Sequence, residues 1–332
     1  MKNCRRIVFI CLLFCFGITG INGADRDRRW AILIAGASGD PDLQKMYLKE
    51  ITDLYRTLEG PLQIPRDRIV VLFDDPSLNT ELIQYKSTRE NLQRVCHDLT
   101  GLVKKEDLVF VFIEGHGNED RNVYKLNLAG RYDPTADDLA SMLYSIPAQR
   151  FVIANMTNCS GGSIQALSRR GTIVITATKS GRERNLTRMG RYFVDAFLNN
   201  AADSDKNGRV SIFEAFMFAR RRVEEYYKSE DNLKTEHAVM DDNGDAQAQD
   251  DPTPENGEGM LARTTFLDTG APIRQLKELT PEQQSLALEA QELMKQIESL
   301  KYEKSEIPEA EYEKRLEDLL LRLARINEKI PQ

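Results

Sequence analysis

Two short motifs follow apolar runs and carry side chains that are suited to nucleophilic chemistry. The run 108–113 leads into Glu-Gly-His-Gly, which contains His116 and Gly117. The run 151–154 leads into Asn-Met-Thr-Asn-Cys-Ser-Gly-Gly, which contains Cys159. Because a thiol beside an imidazole becomes a nucleophile at neutral pH, the two motifs predict a Cys/His dyad. The backbone N–H groups of Gly117 and Cys159 are the candidate donors of an oxyanion hole.

The elements that must position these motifs are visible as alternating apolar runs and helical patterns. Short runs that are apolar throughout are typical of strands buried on both faces, so the sequence predicts an α/β fold with a mostly parallel sheet. The ends of adjacent parallel strands share one crevice, where the two motifs are expected to meet. The predicted strands are 30–35, 69–73, 108–113, 151–154 and 172–176, with a hairpin arm at 123–128, and the predicted helices are 42–58, 88–103, 135–144, 189–198 and one that ends near 227.

The two motifs together resemble those of the caspase and legumain clan of cysteine peptidases. In that clan one strand ends in His-Gly and a second ends in a cysteine that is closely followed by glycine. The resemblance is nearest the legumain family, because Trp30–Gly36 looks like its opening strand and Arg68–Asp75 like its second strand. It extends over about residues 29–200.

The resemblance implies a three-layer, caspase-like sheet flanked by helices and the activity of a cysteine endopeptidase. Cys159 would form the acyl-enzyme, His116 would act as general base and acid, and Gly117 would help to bind the oxyanion. The segment Thr176–Gly181 lies where the family places a wall of the S1 pocket. The substrate-binding residues implied by this position are Thr176, Thr178 and Ser180.

Two departures from the family pattern favour a different function. Legumain relatives carry an acid two residues before the cysteine, where this chain has Thr157. They also carry an asparagine and an arginine after the first strand, where this chain has Ala37–Asp40. The alternative to a peptidase is therefore a catalytically inactive caspase-like domain that binds a peptide or protein.

Residues 203–214 fit the twelve-residue pattern of a calcium-binding loop, with oxygen ligands at alternating positions and a late glutamate. The loop predicts a structural calcium ion, whereas the dyad itself requires no cofactor. A calcium-responsive structural module is thus a third interpretation. The segment 241–245 lacks the glycine position and the terminal glutamate of the pattern and is interpreted as an acidic loop only. The predicted ligands are the side chains of Asp203, Asp205, Asn207 and Glu214 and the carbonyl of Arg209.

Residues 1–23 have the features of a secretory signal peptide: basic residues near the N-terminus, an apolar run at 7–16 and small residues before the cleavage site. Cleavage would leave two cysteines and no membrane segment, so the protein is expected to be secreted or periplasmic. Glycosylation sequons at Asn155 and Asn158 flank Cys159, and glycans there would block the site, which favours a bacterial setting. The net charge of −7 argues against a nucleic-acid partner and leaves a peptide or protein substrate.

The C-terminal region 271–332 is predicted to be a linker followed by an antiparallel helical hairpin, appended to an α/β domain at 29–270. Apolar residues recur at steps of three and four on both sides of Pro308. Such stripes must be buried, so the hairpin is expected either to dock on the α/β domain or to mediate self-association.

Overall fold

The computed structural model describes residues 28–198, 200–206, 208–268, 280 and 307–327, together with single residues between 282 and 300. The proposed signal segment and most of the predicted linker lie outside the described residues. No helix within the described parts is long and apolar enough to cross a membrane.

The chain forms one large sheet and a separate two-stranded hairpin. The large sheet has the order β3-β2-β1-β4-β7-β8-β9 and is parallel except at the edge pair β8–β9. The hairpin consists of β5 and β6 and follows directly after the His-Gly motif. The strands are β1 (Arg29–Ala35), β2 (Ile69–Phe73), β3 (Tyr85–Lys86), β4 (Leu108–Glu114), β5 (Gly117–Asp120), β6 (Val123–Leu126), β7 (Arg150–Asn155), β8 (Thr172–Thr176) and β9 (Val239–Asp241).

Helices cover both faces of the large sheet, which confirms the three-layer α/β fold. Alternate residues of β4 enter different cores: Phe110 and Phe112 face the side of α1, α5 and α6, whereas Val109 and Val111 face that of α2 and α3. Burial on both faces explains why the central strands are apolar throughout. The α-helices whose bounds lie within the described residues are α1 (Pro41–Glu59), α2 (Arg89–Thr100), α3 (Ala136–Leu143), α4 (Ile164–Leu167), α5 (Met189–Leu198), α6 (Ile212–Ser229), α7 (Met260–Thr264) and α8 (Glu309–Asn327).

The segment 37–40, which lacks the family's asparagine and arginine, has a structural role here. The Asp40 side chain accepts hydrogen bonds from the backbone N–H groups of Asp42 and Leu43 and so caps the N-terminus of α1. Helix α1 then supplies Tyr47 and Glu50 to the interior beneath the His-Gly motif.

Helix α8 belongs to a small apolar cluster that is distinct from the two cores of the sheet. Ile326 packs there with Ala290 and Leu293, which are helical residues of the preceding segment. Contact between α8 and the preceding helical segment is expected if the two form an antiparallel hairpin. The boundary between an α/β domain and an appended hairpin stays a prediction.

Candidate active site

The parallel pairing of β4 with β7 brings the two motifs to one edge of the sheet. Ile113 is paired with Asn155 in the strand register, so the residues that follow β4 and β7 leave the sheet at the same height. The backbone N–H of Gly117 donates to Asn158 Oδ1 over 2.9 Å, which links the motifs directly. A Cβ atom on Gly117 would lie 2.6 Å from the Asn158 carbonyl oxygen, so this contact requires glycine.

Cys159 lies on a tight turn directly after β7. Its φ of +58° is in the left-handed region, which is uncommon for a side chain other than glycine and frequent at functional sites. The residue is only 1% exposed, and its backbone N–H donates to the carbonyl oxygen of Glu183 over 2.8 Å. The sulfur accepts from the backbone N–H of Glu119 and lies 3.9 Å from Nδ2 of Asn158.

The surroundings of Cys159 favour the neutral thiol in this conformation. Burial raises the pKa of the Cys159 thiol, and the negative charge of Glu119 raises it further. The nearby Arg184 guanidinium and the hydrogen bond from the Glu119 backbone oppose this rise without cancelling it. A reactive thiolate therefore requires a change in burial or in the charges around the sulfur.

His116 lies between β4 and β5 and is half-buried. Its ring meets the ring of Tyr47 edge-on, with 6.2 Å between the centroids. Tyr47 belongs to the core on the α1 side of the sheet, whereas Cys159 packs in the core on the α2 side. Among the described residues no hydrogen bond joins the imidazole to the thiol, so the predicted dyad is not assembled in this conformation.

Both candidate oxyanion donors are occupied by acceptors of the protein itself. The N–H of Gly117 is bound by the Asn158 carboxamide, and the N–H of Cys159 by the Glu183 carbonyl. Buried N–H groups are almost always paired, and these two groups find intramolecular partners. The expectation of an open oxyanion hole is therefore not met in this conformation.

The predicted substrate-binding residues form the wall beside the Cys159 turn. Thr176 and Thr178 are fully buried, and Oγ1 of Thr176 donates to the Thr178 carbonyl over 2.8 Å. Oγ1 of Thr178 accepts from the Gly161 N–H over 3.0 Å and donates to the carbonyl of Ser180. These two threonines hold the wall in place, while Ser180 is half-buried and nearer to the surface.

An acid that the sequence did not single out lies next to the thiol. A Cβ atom on Gly181 would overlap the Glu119 carboxylate, and one on Gly162 would lie 2.5 Å from Glu119 Oε2. Thr157, at the position of the family's acid, is instead fully buried, and its Oγ1 lies 2.8 Å from the Tyr124 hydroxyl. The negative charge nearest the thiol therefore comes from β5.

Glu183 and His237 form a clamp on the loop that follows β8. Nδ1 of His237 lies 2.6 Å from Glu183 Oε1, and the backbone N–H groups of His237 and Lys179 both donate to Oε2 over 3.1 Å. This explains His237 as a structural residue. A cavity of about 330 Å³ adjoins this region, bordered by Gly161, Lys179 and the segment 246–249.

A buried pair of carboxyl groups lies close to the His-Gly motif. Glu114 at the end of β4 lies beside Glu50 of α1, and a Cβ atom on Gly190 would overlap the Glu114 carboxyl group. Burial raises the pKa of Glu50 to about 7. Burial, and then the charge of Glu50, raise the pKa of Glu114. Both shifts favour the protonated form of these carboxyl groups in the folded protein.

The predicted calcium loop brings three of its expected ligands together. Carboxylate oxygens of Asp203, Asp205 and Glu214 lie within 4.8 Å of one another, and Gly208 has a φ of +83°. Asn207 lies outside the described residues, and the Arg209 side chain forms an ion pair with Asp268. Glu214 also caps α6, since its two oxygens accept bonds from the N–H and hydroxyl groups of Ser204 and Ser211 and from the N–H of Asp205.

The sheet order and the paired motifs define an α/β protein of the caspase-like type. Residues 86–242, slightly less than half of the chain, match the model of the peptidase C13 family, which is the legumain family. The match confirms the resemblance and indicates a cysteine peptidase, which implies a peptide or protein substrate. It contains both His116 and Cys159. No curated protein matches the chain.

Proposed function

We propose that this protein is an exported cysteine endopeptidase that uses Cys159 and His116 as its dyad. The observation that carries the proposal is the meeting of both motifs at the end of the β4–β7 pair, joined by the bond from Gly117 to Asn158. The left-handed turn at Cys159 adds support, because a strained backbone at a strand end is typical of a functional site.

In the proposed reaction the Cys159 thiolate attacks the carbonyl carbon of the scissile bond, and the thiol proton passes to His116. Collapse of the tetrahedral intermediate breaks the C–N bond, while His116 returns the proton to the leaving amine. A water molecule that loses its proton to His116 then hydrolyses the thioester and restores the thiol. The N–H groups of Gly117 and Cys159 would stabilise both tetrahedral oxyanions.

The described conformation is a closed form of this proposed site. Opening requires three changes: the Asn158 carboxamide leaves the Gly117 N–H, the Glu183 carbonyl leaves the Cys159 N–H, and the thiol turns toward His116. A bound substrate would provide the carbonyl oxygen that replaces both intramolecular acceptors, so opening and substrate binding are expected to occur together.

The test is labelling with a peptide that carries a thiol-reactive electrophile, followed by identification of the modified residue. We expect Cys159 to be labelled, Cys159→Ala to abolish labelling and peptide hydrolysis, and His116→Ala to slow both. Cys96→Ala is the matched control, because Cys96 is buried in α2 and burial raises its pKa to about 12. Labelling that persists in Cys159→Ala would exclude the dyad.

The second candidate function is a catalytically inactive domain that binds peptides. Three observations favour it: the thiol is 1% exposed, both oxyanion donors are occupied, and Thr157 is an interior residue. Such a protein would bind peptides without cleaving them, and the electrophile would leave its thiol unmodified.

Export to a periplasm or to the medium is part of the proposal and rests on residues 1–23 alone. Expression of the full chain in a bacterial host, fractionation and sequencing of the mature N-terminus test it. A cytoplasmic protein that begins at Met1 would contradict export without affecting the proposed chemistry.

A further inference from the structure

A second group of three carboxylates, made of different residues from the predicted calcium loop, lies at the edge of the sheet. Asp241 ends β9, Asp245 follows in the next turn, and Glu258 returns from just before α7. One oxygen of each carboxylate lies within 4.8 Å of the other two. Glu258 is far enough along the chain that no local sequence pattern links it to the other two.

Two of these oxygens are buried and have no hydrogen-bond partner. Oδ2 of Asp241 and Oε1 of Glu258 are unpaired, and the residues are 0% and 1% exposed. Leaving a buried charged oxygen unsatisfied is costly, so such atoms indicate a missing counter-charge. Without a cation, protonation reduces this charge: burial, followed by the adjacent Asp242 carboxylate, raises the pKa of Glu258 to about 9. A bound cation would take the place of that proton.

Backbone donors hold one oxygen of Asp241 and one oxygen of Glu258 in place. The other oxygen of Asp241 accepts from the Gly244 N–H over 2.8 Å, and the other oxygen of Glu258 accepts from the Asp242 N–H over 2.6 Å. Gly244 has a φ of +84°, and a Cβ atom there would overlap the backbone of residues 169 and 170. The Asp242 carboxylate accepts the N–H groups of Gly259 and Ala262 and also lies beside the Glu258 side chain.

We propose that Asp241, Asp245 and Glu258 bind a divalent cation, with calcium preferred. Three oxygens within 4.8 Å of one another have a common point about 2.8 Å or less from each, close to the calcium–oxygen distance of about 2.3–2.6 Å. The donor set is carboxylate only, which suits a hard cation, and the exposed Asp245 leaves one side open to water ligands.

The contrast with the 203–214 loop strengthens the assignment. There both oxygens of Glu214 accept hydrogen bonds, from Ser204 and Ser211 among others, whereas here one oxygen of Asp241 and one of Glu258 have no hydrogen-bond partner. The Ser168 hydroxyl is the neighbouring donor group of Asp241. Bound calcium would join the end of β9 to the turn that leads into segment 246–249. That segment borders the cavity beside Gly161, so the ion would brace one side of the cavity.

Calorimetric titration of the full chain with calcium tests the proposal in a background of Asp203→Asn and Asp205→Asn, which disables the first loop. We expect one calcium ion per chain in this background. Asp245→Asn and Glu258→Gln should each weaken binding by at least about tenfold. Glu255→Gln is the matched control, because Glu255 is an exposed acid of the same segment and should leave affinity unchanged.

Asp245→Asn keeps the test decisive if Glu258→Gln does not fold, since Asp245 is exposed and its change removes charge without disturbing the core. Absence of calcium binding in the background, or equal affinity in the background and in Asp245→Asn, would overturn the proposal. Equal affinity for magnesium and calcium would overturn the stated preference.

Discussion

The backbone N–H of Cys159 donates a hydrogen bond to the carbonyl oxygen of Glu183 over 2.8 Å. The residue that occupies this candidate oxyanion donor is therefore the same residue whose side chain is clamped by His237. The contact between Glu183 and His237 holds the loop after β8, and this loop covers the Cys159 N–H. The reactivity of Cys159 is therefore expected to depend on His237, which lies just before β9.

Glu183→Ala should open this loop, because it removes the side-chain contacts to His237 and Lys179 but leaves the backbone carbonyl. A partly buried hydrogen bond of this kind contributes about 1 kcal/mol, so we expect alkylation of Cys159 to become about fivefold faster. The measurement is the rate of iodoacetamide modification at Cys159 by mass spectrometry. Glu230→Ala, at an exposed acid, is the control. An unchanged rate would mean that the clamp does not hold the loop.

Glu119→Gln should make the Cys159 thiol more acidic. The charge of Glu119 disfavours the thiolate, and its removal lowers the thiol pKa and increases the thiolate fraction at neutral pH. We expect the alkylation rate to rise by about two- to tenfold, with its pH profile shifted to lower pH. Asp120→Asn, at the exposed neighbour, should change neither quantity. A slower reaction in Glu119→Gln would show that the carboxylate activates the thiol instead.

Much of the fold could be predicted from the sequence, because burial on both faces makes the central strands continuous apolar runs. The predicted strands 69–73 and 172–176 and the helix 189–198 have the same bounds in the structure. The strands β3 and β9 were not predicted, since two and three residues are too short to show a period.

The candidate site was predicted less completely than the fold, because loop contacts between distant residues leave no pattern in the sequence. Strand ends identify His116 and Cys159, but the contacts that close the site join loops distant in sequence. Glu183 and His237 are 54 residues apart, and no periodicity marks such a pair. The sequence predicted only an acidic loop at 241–245, whereas Asp241 is buried and lies beside Glu258, which is distant in sequence and also buried.

The buried pair of Glu50 and Glu114 should make the free energy of unfolding depend on pH. Burial raises the pKa of Glu50 from 4.5 to about 7, so the native state binds more protons than the unfolded chain between these values. Stability therefore falls as pH rises through this window.

Glu50→Gln replaces the titrating carboxyl group of this pair with a neutral amide. We expect it to raise the free energy of unfolding by about 1–3 kcal/mol at pH 8 and to have little effect at pH 5. Urea unfolding at both pH values measures the difference. Glu90→Gln, at an exposed acid of α2, should show no such change. Equal effects of Glu50→Gln at the two pH values would contradict a protonated pair.

Glu214→Ala should have two separable effects, because Glu214 is both a proposed calcium ligand and the cap of α6. Loss of the capping contacts with Ser211 should lower the free energy of unfolding by about 1–2 kcal/mol in calcium-free buffer. Loss of the ligand should also abolish the rise in Tm that calcium produces by binding the native state. Melting curves with and without calcium, in an Asp245→Asn background that weakens the second site, separate the two effects. Asp203→Asn is the matched variant, which should lose the calcium response and keep the cap. If Glu214→Ala lowers the Tm equally in both buffers and calcium still raises the Tm of the variant, Glu214 acts as a cap and not as a ligand.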